Sequence, residues 1–111
     1  MAIASVSLKG NAFHLANSVD YSDDSVVSKT LLKKTTGNIT LFAFDAGQGL
    51  SEHTAPFDAV VHILDGQARI TIGGSPQNVG EGEMLIMPAN ISHALQAKVR
   101  FKMLLIMIRS D

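Results

Sequence analysis

Leu50 to Gly66, LSEHTAPFDAVVHILDG, is the stretch whose reading decides the fold. It sets His53 just ahead of an apolar run, Ala59 to Leu64, and closes that run with Asp65-Gly66. The run is apolar on both faces except at His62, so it reads as a strand covered on both sides. A second stretch, Gly82 to His93, answers it. There a glycine turn leads into Met84 to Met87, read as a buried strand, then a stop at Pro88-Ala89-Asn90, then another histidine. Together the two stretches predict a small β-barrel with a pocket between His53 and His93.

The neighbouring sequence extends the same pattern in both directions. Val26 to Lys33 reads as a strand, and Thr35-Thr36-Gly37-Asn38 as a turn. Ile39 to Asp45 follows, with Ile39, Leu41 and Ala43 on one face and Thr40, Phe42 and Phe44 on the other. Gln67 to Ile72 alternates, with Ala68, Ile70 and Ile72 facing in. Gly73-Gly74 is a hairpin turn, because paired glycines reach positive φ at little steric cost. Pro76 to Val79 returns, and Ile91 to Ala97 carries His93.

The last strand, Val99 to Arg109, turns apolar on both faces: Phe101, Met103, Leu105 and Met107 on one, Leu104, Ile106 and Ile108 on the other. The second face needs a cover from another sheet or another subunit, which is the ground for expecting a homodimer. Many short strands and no convincing long helix predict an all-β sandwich or barrel. Residues 1–24 read as an N-terminal arm and 25–111 as a single barrel domain. In the arm, Phe13, Leu15, Ala16 and Val19 suit one face of a short helical turn or a loose edge strand. His14, also in the arm, is read as a surface residue.

Composition narrows the function classes. At 111 residues the chain has room for one core, and 46% hydrophobic residues suffice to build it. With no cysteine, disulfide scaffolds, thiolate zinc sites, iron–sulfur clusters and cysteine nucleophiles are excluded. A net charge of −1 without a basic stripe argues against a nucleic-acid partner. The N-terminal MAIASVSLKGNAF lacks the build of a signal peptide, and the apolar run Met103 to Ile108 is too short to span a bilayer. No membrane association and a cytoplasmic location are therefore expected.

The two histidine stretches resemble the paired motifs of the small single-domain cupins, which are jelly-roll β-barrels. The first motif, G-x5-H-x-H-x3/4-E-x6-G, is met by Gly47, His53 and Gly66, with Ala55 at the second histidine and Ala59 at the glutamate. The second, G-x5-P-x-G-x2-H-x3-N, is met by Gly82, Pro88 and His93. Asn90 stands at its inner glycine and Ala97 at its asparagine; Asn also visits left-handed backbone geometry. The resemblance covers roughly residues 38–108 and implies an all-β cupin barrel. In cupins with a full site, three histidines and a glutamate bind a divalent metal inside the barrel.

Only His53 and His93 carry that set over to this chain. A catalytic metal usually keeps three protein ligands, and the mononuclear iron oxygenases need two histidines and a carboxylate. Asp58 and Glu52 adjoin the site positions in sequence, but strand parity turns them to the other face. His62 is opposed in the same way to Ala59, Val61 and Ile63, and is read as an inter-sheet or interface residue. Two imidazoles with water suit a weakly held divalent ion: Zn, Ni, Cu, Fe or Mn at an incomplete site.

The alanines at 55 and 59 also leave volume in the barrel. Phe42, Ala55, Phe57, Ala59, Met84, Phe101 and Met103 are the candidate walls for a small-molecule ligand. Three functions stay open: a small-molecule-binding cupin with a degenerate metal site, a metal-dependent oxygenase or isomerase, and a non-catalytic oligomeric or regulatory partner.

Overall fold

The computed structural model describes residues 8–110. Among them are eight strands and no helix: β1 (Val26–Lys34), β2 (Gly37–Phe44), β3 (Gly49–His53), β4 (Phe57–Ile72), β5 (Ser75–Gly80), β6 (Met84–Met87), β7 (His93–Gln96) and β8 (Phe101–Arg109). No helix among the described residues is long and apolar enough to cross a membrane. The N-terminal MAIASVS, on which part of the signal-peptide argument rests, lies outside the described residues.

All pairings are antiparallel, and β4 joins the two sheets of the jelly roll. Its first half pairs with β8 and β6, extending a sheet ordered β1-β2-β8-β4-β6. Its second half pairs with β7 and β5, in a sheet ordered β3-β7-β4-β5. The change of sheet falls at a register shift between Ile63 and Asp65, followed by Gly66 at φ 74°. A bulge and a left-handed glycine are how a long strand turns a barrel corner. The hairpin between β4 and β5 is closed by Gly73 and Gly74, both at positive φ, the type I′ geometry that matches strand twist.

The core lies between the sheets. Phe44, Val61, Ile63, Ala68, Ile70, Phe101 and Met103 are fully buried. The Phe44 and Phe101 rings stack at 4.4 Å between centroids. Both follow from the alternation of β2 and β8, whose partners Phe44↔Phe101 and Phe42↔Met103 point the same way.

The β6 segment departs from the sequence expectation. Met84 (63%) and Ile86 (54%) are exposed, and only Met87 is buried. Four consecutive apolar residues in a strand still alternate faces, and β6 has only one face against the core.

Residues 8–24 of the arm form neither helix nor strand. Their turns lay Leu15, Val19 and Tyr21 on Leu41, Ala43, Leu64 and Leu104, on the outer face of the larger sheet. This covers in cis part of the second face of β8. Polar groups pin the arm there. The Tyr21 hydroxyl donates to Asp65 Oδ2 at 2.5 Å, and Lys102 Nζ donates to the Ala16 carbonyl at 2.6 Å. Arg100 bridges Asp45 at 2.7 Å and Asp23 at 3.0 Å. Burial, and then the hydrogen bond to Asp65, push the Tyr21 phenol far above its ordinary range. The hydrogen bond from Arg100 holds the Asp45 carboxyl below its own.

Beyond the arm the outer face carries an apolar row. Leu32, Ile39, Ile106, Val60 and Ile86 are successive cross-strand neighbours over five strands and share that face. His62 lies in the adjoining row, between Leu104 and Met84, on the side away from the core.

Candidate functional site

The two histidines meet through strand pairing. His53 ends β3, His93 begins β7, and they are register partners. Their rings sit edge to face, 4.4 Å between centroids. The turn before β7 depends on Asn90, which takes φ 64° where the resembling motif has glycine, and whose N–H donates to the Ala55 carbonyl at 2.9 Å. That bond ties the loop carrying Ala55 to the loop leading into His93.

Each ring is oriented by its own backbone. His53 Nδ1 lies 2.7 Å from the Ser51 carbonyl, and His93 Nδ1 lies 3.2 Å from the Ile91 carbonyl. A carbonyl only accepts, so in both neutral rings the proton is on Nδ1 and Nε2 keeps its lone pair. Metal-ligating histidines are usually held this way, by a carbonyl on the other nitrogen. His93 is buried and His53 exposed, so one is the floor and the other the mouth of the site. Burial holds the His93 imidazole below the usual histidine range; the Ile91 carbonyl opposes this shift and the charge of His53 adds to it. Neutral imidazole at pH 7 is the ligating form.

Both rings line a partly enclosed cavity of about 50 Å³. Its other walls are Leu50, Ala55, Ala59, Met87, Leu95, Met103, Leu105 and Met107. A water in the liquid takes about 30 Å³, so this space suits an ion or one or two waters. Drug-sized ligands fill several hundred Å³, about 300 to 1,000. Met87 and Met107 flank Ala59 as its partners on β6 and β8, so their side chains border the volume that the alanine leaves.

The sequence candidates thus divide. His53, Ala55, Ala59, His93 and Met103 are brought together around the cavity. Phe42, Phe57, Met84 and Phe101 do not line it. Phe42 and Phe101 belong to the core around Phe44, Phe57 lies under the Arg109 guanidinium, and Met84 faces outward. Among the described residues, no group of three or more His, Cys, Asp or Glu side chains could hold a metal. Asp58 instead accepts from the Ala89 N–H at 2.9 Å, and Glu52 from the Ser92 hydroxyl at 3.4 Å. The chain does not fit the three-histidine, one-glutamate centre of the resembling motif: two of its donors are alanines.

Sequence reasoning did not reach Leu50, Met87, Leu95, Leu105 or Met107 as cavity walls. For Met107 a signal existed, because it shares a strand face with Met103. For Met87 the only signal was its place just before Pro88.

A larger open groove of about 300 Å³ lies outside the barrel, between the arm and the outer sheet face. Its walls include Leu8, Phe13, Leu15, Leu31, Leu32 and Leu104.

Comparisons with known proteins agree with this architecture. The chain is 38% identical to a conserved protein of unknown function from Streptococcus pyogenes, over 92% of this chain and 90% of that one, with a TM-score of 0.87. A cupin superfamily protein from Desulfitobacterium hafniense is 30% identical over 92% of this chain and 94% of that one, with a TM-score of 0.86. An uncharacterized protein from Streptomyces coelicolor is 31% identical over 62 residues; the match spans 56% of this chain and 59% of that relative's length. The cupin domain family matches residues 40–108, which contain both histidines and every strand that frames them, and the chain belongs to that family.

Proposed function

We propose that the protein is a binding cupin whose inner cavity holds a single metal ion on His53 and His93. The observation that carries this is the pair of adjacent imidazoles, each with Nδ1 tied to a backbone carbonyl and Nε2 left as a lone-pair donor. The volume of the cavity supports an ion-sized guest over an organic one. With two nitrogen donors and no carboxylate among the walls, the cavity lacks both the third ligand of a two-histidine, one-carboxylate oxygenase centre and a carboxylate general base for metal-assisted hydrolysis.

The test is elemental analysis of protein prepared without a histidine tag. One ion per chain is expected, lost by more than about tenfold in His93→Ala and in His53→Ala, since even outer-shell partners of a metal are worth about 10–100-fold. Metal content that ignores both substitutions would show that the ion sits elsewhere. Uptake should also weaken as the pH falls, because protons compete for Nε2.

We also propose that the outer row Leu32-Ile39-Ile106-Val60-Ile86 packs against the same row of a second copy. An apolar stripe across a whole sheet is costly to leave in water, and a face-to-face pairing of two such sheets is the ordinary β-sandwich solution. A stable dimer needs about 800 Å² from each partner, and the exposed Met84 and Ile108 flank the stripe on the same face, so they belong to the contact. Light scattering should give twice the chain mass for the native protein and a single-chain mass for Ile86→Glu. A monomeric native protein at micromolar concentration removes this reading.

A further inference from the structure

We infer that the inner cavity is a soft-metal site, built to hold a cuprous ion between the imidazoles of His53 and His93 and the thioethers of Met87 and Met107. This rests on the reading that the two histidines hold an ion, and it specifies which ion and which further donors.

The placement of the methionines carries it. Ala59 stands where the cupin motif has its glutamate, and its cross-strand partners are Met87 on β6 and Met107 on β8. Directly opposed residues on one face of a sheet have Cβ atoms about 5 Å apart. A methyl at 59 therefore leaves a gap that two long, flexible thioether chains border from either side. Both line the same cavity as the two rings, and Leu105 and then Met103 line it further along β8. Met87 is 3% exposed, so its sulfur is spent on the interior and not on the surface.

The chemistry then selects the ion. Hard divalent ions such as Mn(II) and Fe(II) favour carboxylate, carbonyl and water oxygens, and no carboxylate lines the cavity. Thioether sulfur favours Cu(I), and imidazole also suits copper. Two neutral nitrogens and two neutral sulfurs add no charge, so the apolar cavity takes in one positive charge with a monovalent ion and two with a divalent one. Burying a lone charge is costly and grows with its size, so the walls favour the monovalent ion as well.

The experiment is an anaerobic competition titration of untagged full-length protein. Cu(I) is supplied from its acetonitrile complex against bathocuproine disulfonate, with Zn(II) and Ni(II) titrated in parallel. X-ray absorption at the copper edge is recorded on the Cu(I)-loaded native protein. One Cu(I) per chain is expected, with sulfur as well as nitrogen scatterers around it. Met87→Leu/Met107→Leu, close to volume-conserving, should weaken Cu(I) by about 100-fold or more, since outer-shell groups already reach that range. The same variant should leave Zn(II) affinity within a factor of a few.

Nitrogen-only scattering, or a Cu(I) affinity indifferent to the methionines, overturns the thioether assignment while leaving the histidine site standing. Zn(II) bound more tightly than Cu(I) does the same. Failure of the native protein to take up any of the three ions overturns both. The absorption measurement needs no variant, so a misfolded double substitution does not decide the matter.

Discussion

Gly66→Ala should unfold the protein or cost it at least about 3 kcal/mol, a large share of the roughly 5–15 kcal/mol that holds a domain of this kind together. Gly66 has φ 74°, and a Cβ there would stand 1.9 Å from the Arg100 carbonyl oxygen. That oxygen belongs to backbone entering β8, so it cannot step aside as a side-chain tip would. Relief requires β4 and β8 to separate where β4 changes sheets, beside the buried Phe101.

Gly74 supplies the control. It has φ 85° in the β4–β5 hairpin and nothing within 4 Å of an added Cβ. Gly74→Ala should therefore lose only the left-handed penalty of about 1–2 kcal/mol. Urea unfolding of both variants separates the two contributions. Equal midpoints would mean that the close approach to Arg100 is relaxed at no cost.

Ala59→Glu should have the second large effect, and its size should depend on metal. The substitution places a carboxylate at the family's ligand position, between Met87 and Met107, in a cavity of about 50 Å³. Without metal, overpacking alone costs about 1–3 kcal/mol, and a buried carboxyl without a partner adds to it. A loss of about 3 kcal/mol in a domain of this size lowers the melting temperature by more than about 10 °C. With Mn(II), Fe(II) or Ni(II), the new oxygen joins His53 and His93 as a third donor of the two-histidine, one-carboxylate type. A ligand at 100 times its dissociation constant returns about 2.7 kcal/mol, so most of the loss should be recovered. Thermal melts with and without each ion decide it. An Ala59→Glu protein as stable as the native one without metal would mean that the cavity is looser than its walls imply. No recovery on adding divalent ions would mean that position 59 does not address the histidines.

The barrel was legible because its signals are local. Alternation in Gln67 to Ile72, the Gly73-Gly74 turn, and the spacing of Gly47, His53 and Gly66 against Gly82, Pro88 and His93 all act within a few residues. Asn90 at φ 64° fulfils the left-handed role that its position in the motif demands. Parity along one strand also placed Asp58 and His62 away from the core, because side chains alternate whatever the partner strand is.

The cavity walls were legible only in part, because they depend on pairing across strands far apart in sequence. Nothing within β4 indicates that Ala59 lies between Met87 and Met107; the registers of β6 and β8 decide it. The arm shows the same limit. Its apolar residues fit more than one local conformation, and the side chains they meet, Leu41, Leu64 and Leu104, come from three different strands. Sequence by itself determined the cupin barrel, the two histidines and the loss of the other two ligands, since each is written in residue identity and spacing. Tertiary structure alone decided how large the space between them is and that Met87 and Met107 border it, because volume and donor set are properties of side chains brought together by long-range pairing.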